Sequence, residues 1–190
     1  MEGSAVLALL SGGNIELDRL NDELCDELCA ALRARAPSGG EGTVDFEGRN
    51  PTGETPFLMA CTVGCVECME LLAEAGCNTA VINNRGTNAL MSAAESGVAA
   101  AVRAALAAGW CVELEARSTT GSTAFLLACY KGHVECMQVL AEAGCDTAAK
   151  DNNGANALMF AANSCVATAV RTALAAGWCE LEARDKTGST

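Results

Sequence analysis

The chain has 190 residues, with 12 Lys and Arg against 24 Asp and Glu, 12 cysteines and a single histidine. A hydrophobic fraction of 51% beside 19% charged residues excludes a disordered chain, and the length holds one domain or a short repeat array whose core needs no disulfides. The net charge of −12 divides as −6 over residues 1–50 and −6 over residues 51–190, so neither part offers a basic patch to nucleic acid or anionic lipid.

The N-terminus, Met1-Glu2-Gly3-Ser4, lacks a basic leader region, and the apolar run from Ala5 to Leu10 is too short for a signal-peptide core. Glycine and charge interrupt every later apolar run before it reaches bilayer length, so a soluble, intracellular (cytoplasmic) protein is expected. Residues 4–10 and 15–35 read as a short and a long helix, separated by Gly12-Gly13. Asp18, Asp22, Glu23, Asp26 and Glu27 give the long helix a charged outer face suited to a terminal cap. Pro37, Gly39, Gly40 and Gly42 mark a loop insertion over residues 36–43.

From residue 53 a fixed period takes over. Gly53-Glu54-Thr55-Pro56-Phe57 returns as Gly86-Thr87-Asn88-Ala89-Leu90, Gly121-Ser122-Thr123-Ala124-Phe125 and Gly154-Ala155-Asn156-Ala157-Leu158, and begins again at Gly188-Ser189-Thr190. The spacings are 33, 35, 33 and 34 residues. Alternate units match best: residues 53–85 agree with 121–153 at 20 of 33 positions, and 86–120 with 154–187 at 26 of 34, so a two-repeat block of 68 residues has been duplicated.

Within a unit, Thr55-Pro56 opens a helix whose apolar side is Leu58, Ala60 and Cys61, and Gly64 ends it. A second helix carries Val66, Cys68, Met69, Leu71 and Leu72, and Gly76 closes it with the positive φ that glycine adopts cheaply. The Asn- and Gly-rich stretch 78–86 reads as a turn or finger-like hairpin.

The segment Gly53-x-Thr55-Pro56-Phe57-Leu58-x-Ala60-Cys61-x-x-Gly64, then Gly76, resembles the ankyrin repeat. Tyr130-Lys131-Gly132-His133-Val134-Glu135 followed by Val139-Leu140 and Gly144-Cys145-Asp146 resembles it more closely still. The resemblance covers residues 53–190 and implies an all-α ankyrin-repeat solenoid of stacked helix-turn-helix units with finger loops. It departs from the family at Leu58, Met91, Leu126 and Met159, where histidine is usual, and at Trp110 and Trp178, where a small residue is usual. The expected organisation is a degenerate cap over 1–52, repeats over 53–85, 86–120, 121–153 and 154–187, and the start of a further repeat at 188–190. The uncapped apolar residues Val166, Val170 and Leu174, with that truncated start, suggest a longer array or contact with another chain at this end.

Several motifs look chemical. Cys61-x3-Cys65-x2-Cys68 matches the spacing of a three-thiolate iron-sulfur triplet, and Cys129-x3-His133-x2-Cys136 sits in the same register as an incomplete zinc set. Eight of the twelve cysteines are four positions copied at an offset of 68, which favours inherited core thiols. Cys25 and Cys29, at i and i+4, read as helix packing. His133 follows the inter-helix glycine, a structural place in the family, and neither a Walker loop nor a Gly-x-Ser-x-Gly elbow occurs. No catalytic residue, cofactor or metal is therefore expected. Trp110 and Trp178 read either as covers over the seam to a neighbouring repeat or as exposed anchors.

The two copies differ at Thr62/Tyr130, Val63/Lys131, Cys65/His133, Ile82/Lys150, Asn83/Asp151 and Arg85/Asn153, and at Ser92/Phe160, Glu95/Asn163, Gly97/Cys165, Ser118/Asp185 and Thr119/Lys186. Nearly all fall on first helices, inter-helix turns or finger tips, which in the ankyrin family line the partner-binding surface; drift at solvated sites gives the same pattern. The resemblance implies a non-enzymatic protein-interaction module with an unidentified protein partner, contacted through Asn84, Arg85, Thr119, Thr120, Tyr130, Lys131, Asn152, Asn153, Phe160 and Lys186. A redox- or metal-responsive protein using Cys61, Cys65 and Cys68, and a targeting arm of a larger enzyme, are the competing readings.

Overall fold

The computed structural model of the protein describes residues 47–110, 113–178, 186 and 188. The expected cap lies outside them apart from its last six residues, and so do Cys25, Cys29 and most of the segment after Trp178. Among the described residues the chain forms eight helices: α1 (Pro56–Val63), α2 (Val66–Glu74), α3 (Ala89–Ser96), α4 (Ala99–Ala107), α5 (Ala124–Lys131), α6 (Val134–Glu142), α7 (Ala157–Asn163) and α8 (Ala167–Ala175).

Local chemistry sets the start of each first helix. The hydroxyls of Thr55 and Thr123 accept the amides of Leu58 and Leu126, and the side-chain oxygens of Asn88 and Asn156 accept those of Met91 and Met159. Pro56 occupies the first turn of α1, where a missing N–H removes no helical bond. Gly64, Gly97 and Gly132 stop α1, α3 and α5 in the left-handed region, and a second helix starts two residues later. The fourth turn departs from this, because Cys165 holds a φ of 59° without being glycine. At the other three turns a side chain would collide with the following repeat: a Cβ on Gly64 would lie 2.6 Å from Val98, and one on Gly97 2.7 Å from the His133 ring.

The first helices form an inner row, α1 on α3, α3 on α5 and α5 on α7, and each is backed by its own second helix. This sandwiching buries α1 on nearly every side, from Pro56 to Cys61, so the one-sided stripe of Leu58, Ala60 and Cys61 expected from the sequence is too narrow. Phe57 and Met59 are core residues as well, because neighbours flank a first helix on three sides. Trp110 stands edge-on to Phe57 with ring centroids 5.4 Å apart, and Trp178 repeats the pair with Phe125 at 5.2 Å. Both tryptophans are half-buried covers over the seam to the preceding repeat, the packing reading of the two, and such ring pairs contribute about 0.5–1.5 kcal/mol beyond the area they bury.

Each finger is a tight hairpin. In the first, the Gly53 amide donates to the Asn50 carbonyl and the Asn50 amide to the Glu54 carbonyl, and the pattern recurs at residues 83–87, 118–122 and 151–155. Successive fingers are joined by one backbone bond each: Asn84 to Thr52, Thr119 to Arg85, Asn152 to Thr120 and Lys186 to Asn153, amide to carbonyl. Side chains reinforce every other joint. Arg49 and Arg117 donate to the carbonyls of Ile82 and Lys150 in the next finger, while the carboxylates of Glu47 and Glu115 accept the amides of Asn78 and Asp146.

Candidate functional site

The fingers and the exposed ends of the first helices form the two walls of a groove. On the helix wall, Tyr130 ends α5 and is 43% exposed, Phe160 lies in the middle of α7, and their rings meet edge-on at 6.0 Å. The Lys131 ammonium sits 6.0 Å from the Tyr130 ring centroid, within reach of its negative face. These three candidates, read from separate parts of the sequence, form one cluster: an apolar surface, a phenol and a cation side by side.

The first block builds the same groove differently. Thr62, in the place of Tyr130, turns its hydroxyl back to the Leu58 carbonyl, and Ser92, in the place of Phe160, is buried. Arg85 reaches from the finger to Glu95 on α3 at 3.4 Å, with the carboxylate side chain only 12% exposed and the guanidinium side chain 60% exposed. A long cation closes over a short polar wall there, and no ring is presented.

The finger candidates separate into two kinds. Asn84 and Asn152 lie across the preceding finger, where their side-chain amides donate to the carbonyls of Pro51 and Thr119. Each covers a glycine so closely that a Cβ on Gly53 or Gly121 would come within 2.3 Å of the amide oxygen. Thr119 and Thr120 are engaged as well, the first with the Arg85 carbonyl and the second with Ser118 and Ser122. Asn153 bonds Asp151, and the Lys186 ammonium donates to the Asn152 carbonyl. These side chains are exposed but already hold the finger row together. Lys150 was not singled out as a contact, although its exchange with Ile82 marked it: it is exposed, with no carboxylate partner among the described residues.

The cysteines take no part in the groove wall. Cys61, Cys68, Cys129 and Cys136 are fully buried, and among the described residues no cluster of His, Cys, Asp and Glu is arranged to hold a metal ion. Burial raises the Cys61 thiol far above its usual range. It also raises Cys136 to about 11, with Glu135 adding to the rise and Arg103 opposing it. Burial, then Glu47, carries Cys77 to about 11, and burial with Glu115 and Asp146 carries Cys145 to about 12. A thiol held protonated in this way is a poor nucleophile and a poor metal ligand at neutral pH. His133 is a seam residue: its Nε2 lies 3.1 Å from the Glu95 carbonyl and its ring fills the space that Gly97 leaves.

A family model for ankyrin repeats, three copies long, matches residues 21–113 and 101–185. The chain is 29% identical over 131 residues to the E3 ubiquitin-protein ligase KEG of Arabidopsis thaliana, a match covering 67% of this chain and 8% of that protein. It is 29% identical over 133 residues to the B-cell lymphoma 3 protein homolog of Mus musculus, covering 70% of this chain and 29% of that protein. The chain thus spans less than a third of the length of either relative. Among the described residues no helix is long and apolar enough to cross a membrane. Glycine-stopped helix pairs, hydrogen-bonded fingers and a family match over most of the sequence agree: the chain belongs to the ankyrin-repeat family, whose members are protein-interaction modules.

Proposed function

We propose that the chain works as a non-enzymatic interaction module that binds a protein partner in the groove between fingers and first helices, chiefly in its second block. The observation that carries this is the Tyr130–Phe160 pair with Lys131 beside it, exposed where the first block is closed by Thr62, Ser92 and the Arg85–Glu95 pair. Partly exposed aromatic rings with a neighbouring cation are the groups that dominate binding energy when a partner excludes water from them. The mechanism is geometric: the stacked repeats hold the wall rigid, so little ordering entropy opposes association.

Asn84, Arg85, Thr119, Thr120, Asn152, Asn153 and Lys186 then frame the groove and fix its width, with direct contacts concentrated on the helix wall. Changing Tyr130, Lys131 and Phe160 together to alanine is expected to leave the circular dichroism spectrum helical and abolish capture of a partner from a lysate of the source organism. Unchanged capture would remove this surface from consideration.

A further inference from the structure

Resting on that reading, we infer that the groove of the second block receives a short acidic segment of another protein. An apolar side chain of that segment lodges against Tyr130 and Phe160, and its carboxylates are read by Lys131, Lys150 and Lys186.

The duplicated block provides an internal reference. On the groove side, the exchanges from first to second copy add two rings (Thr62/Tyr130 and Ser92/Phe160), add three lysines (Val63/Lys131, Ile82/Lys150 and Thr119/Lys186) and remove one carboxylate (Glu95/Asn163). All three lysines are exposed, and none forms an ion pair with a carboxylate among the described residues. The one acid the second copy gains on a described finger, Asp151, is occupied by the amides of Asn153 and Ala155 and by the Asn153 side chain. The groove of the second block therefore combines uncompensated positive charge with an aromatic shelf, in a molecule whose net charge is −12.

That contrast also selects the length of the ligand. A long polyanion such as nucleic acid would extend beyond the lysines into the field of the acidic body and be repelled. A short segment stays within about one Debye length, roughly 8 Å at physiological salt, of the groove cations. Lysine, as a compact and strongly hydrated point charge, suits side-chain carboxylates on a flexible segment better than it suits one bidentate site.

The test is selection of a phage-displayed random peptide library on the full chain, followed by affinity measurement of the selected peptides made synthetically. The expected result is enrichment of two or more Asp or Glu within a few residues of a large apolar side chain. Replacing those acids by Asn and Gln in the peptide, which needs no protein variant, should weaken binding about tenfold, the sum of several exposed charge pairs. Restoring the first-block residues, Lys131→Val, Lys150→Ile and Lys186→Thr, should weaken it similarly, and Tyr130→Thr with Phe160→Ser should abolish it. All five are residues that the first copy folds with.

Peptides that bind through Tyr130 and Phe160 but show no acidic enrichment and no response to the lysine changes would overturn the acidic partner while leaving the groove reading intact. Peptides insensitive to both sets of changes would overturn both. Failure to select any peptide overturns the inference, as does tight binding of a labelled single-stranded oligonucleotide at physiological salt that the lysine changes abolish.

Discussion

The two 68-residue blocks share a fold and differ in what they present to solvent. Their cores repeat almost residue for residue: Phe57 and Phe125 each face a tryptophan, Leu58 and Leu126 are fully buried, and Cys68 and Cys136 occupy the same enclosed place on the second helix. Their groove walls do not repeat. The first is closed by the Arg85–Glu95 pair and by small hydroxyl side chains that bond their own backbone or lie buried, and the second exposes a ring pair beside a lysine. Descent explains the sameness, so the differences carry the information. Stacking tolerates a change from Ser92 to Phe160 at one inner-helix position because the side chain there points along the groove and not into the seam.

The largest effect should strike what the blocks share. The thiols of Cys61, Cys77, Cys136 and Cys145 are all held protonated above the value of 9.0 they start from, chiefly by burial. In the unfolded chain they ionise first, so the stability they contribute is complete below about pH 9 and is lost as the pH rises through the folded values. Two of the four lie in each block, so circular dichroism against pH should show both blocks losing helix together between about pH 9 and pH 12. A first block that melts alone would show that the shared thiol cores are not equivalent.

The helix pairs, their glycine stops and the buried thiols were legible in the sequence, because a helix cap or a period of 33 to 35 residues is local or repetitive. The groove was only partly so. Exchange between copies marked Tyr130, Lys131 and Phe160, but that the two rings touch follows from stacking α5 on α7, across 30 residues of chain. Asn84 and Asn152 looked like free finger tips. Their amides are taken by carbonyls 33 residues upstream, in a neighbouring finger that no local pattern reveals. Lys150 was visible as an exchange, yet its exposure depended on knowing which side of the finger faces outward.

The fingers allow a sharper comparison, between the two repeat types inside one block. Gly121 has a φ of +81°, and a Cβ on it would press into Asn152 at 2.3 Å, against a side chain fixed to the Thr119 carbonyl. Gly86 has a φ of +70°, but the nearest atom to a Cβ there is the Thr119 amide nitrogen at 3.2 Å. Both alanine variants incur the left-handed penalty of roughly 1–2 kcal/mol, and only Gly121→Ala must also displace the asparagine bridge. Urea denaturation should therefore show Gly121→Ala losing about 3 kcal/mol, including one lost hydrogen bond, and Gly86→Ala about half of that. Equal losses would mean that the Asn152 bridge contributes little to the finger row.

The smallest effect concerns one buried atom. At the first position of its finger turn, Asn83 accepts the amides of Arg85 and Thr87 through Oδ1, while its Nδ2 is buried without a hydrogen-bond partner. Asn50, one finger earlier, gives its Nδ2 to Glu54, and Asp151, the copy of Asn83, has an acceptor in that place that takes a bond from Asn153. An orphaned buried donor costs about 1–3 kcal/mol. Asn83→Asp removes the donor and strengthens both amide bonds by charge, against the cost of desolvating a carboxylate in a nearly closed site. Two amides already point at the group and the Arg85 guanidinium belongs to the same turn, so the balance should favour the aspartate by about 1 kcal/mol. The denaturation midpoint should rise at neutral pH, and the gain should disappear as the pH falls through the pKa of the new carboxyl; a lower midpoint at neutral pH would mean that desolvation outweighs the amide bonds and that the first block keeps asparagine for stability.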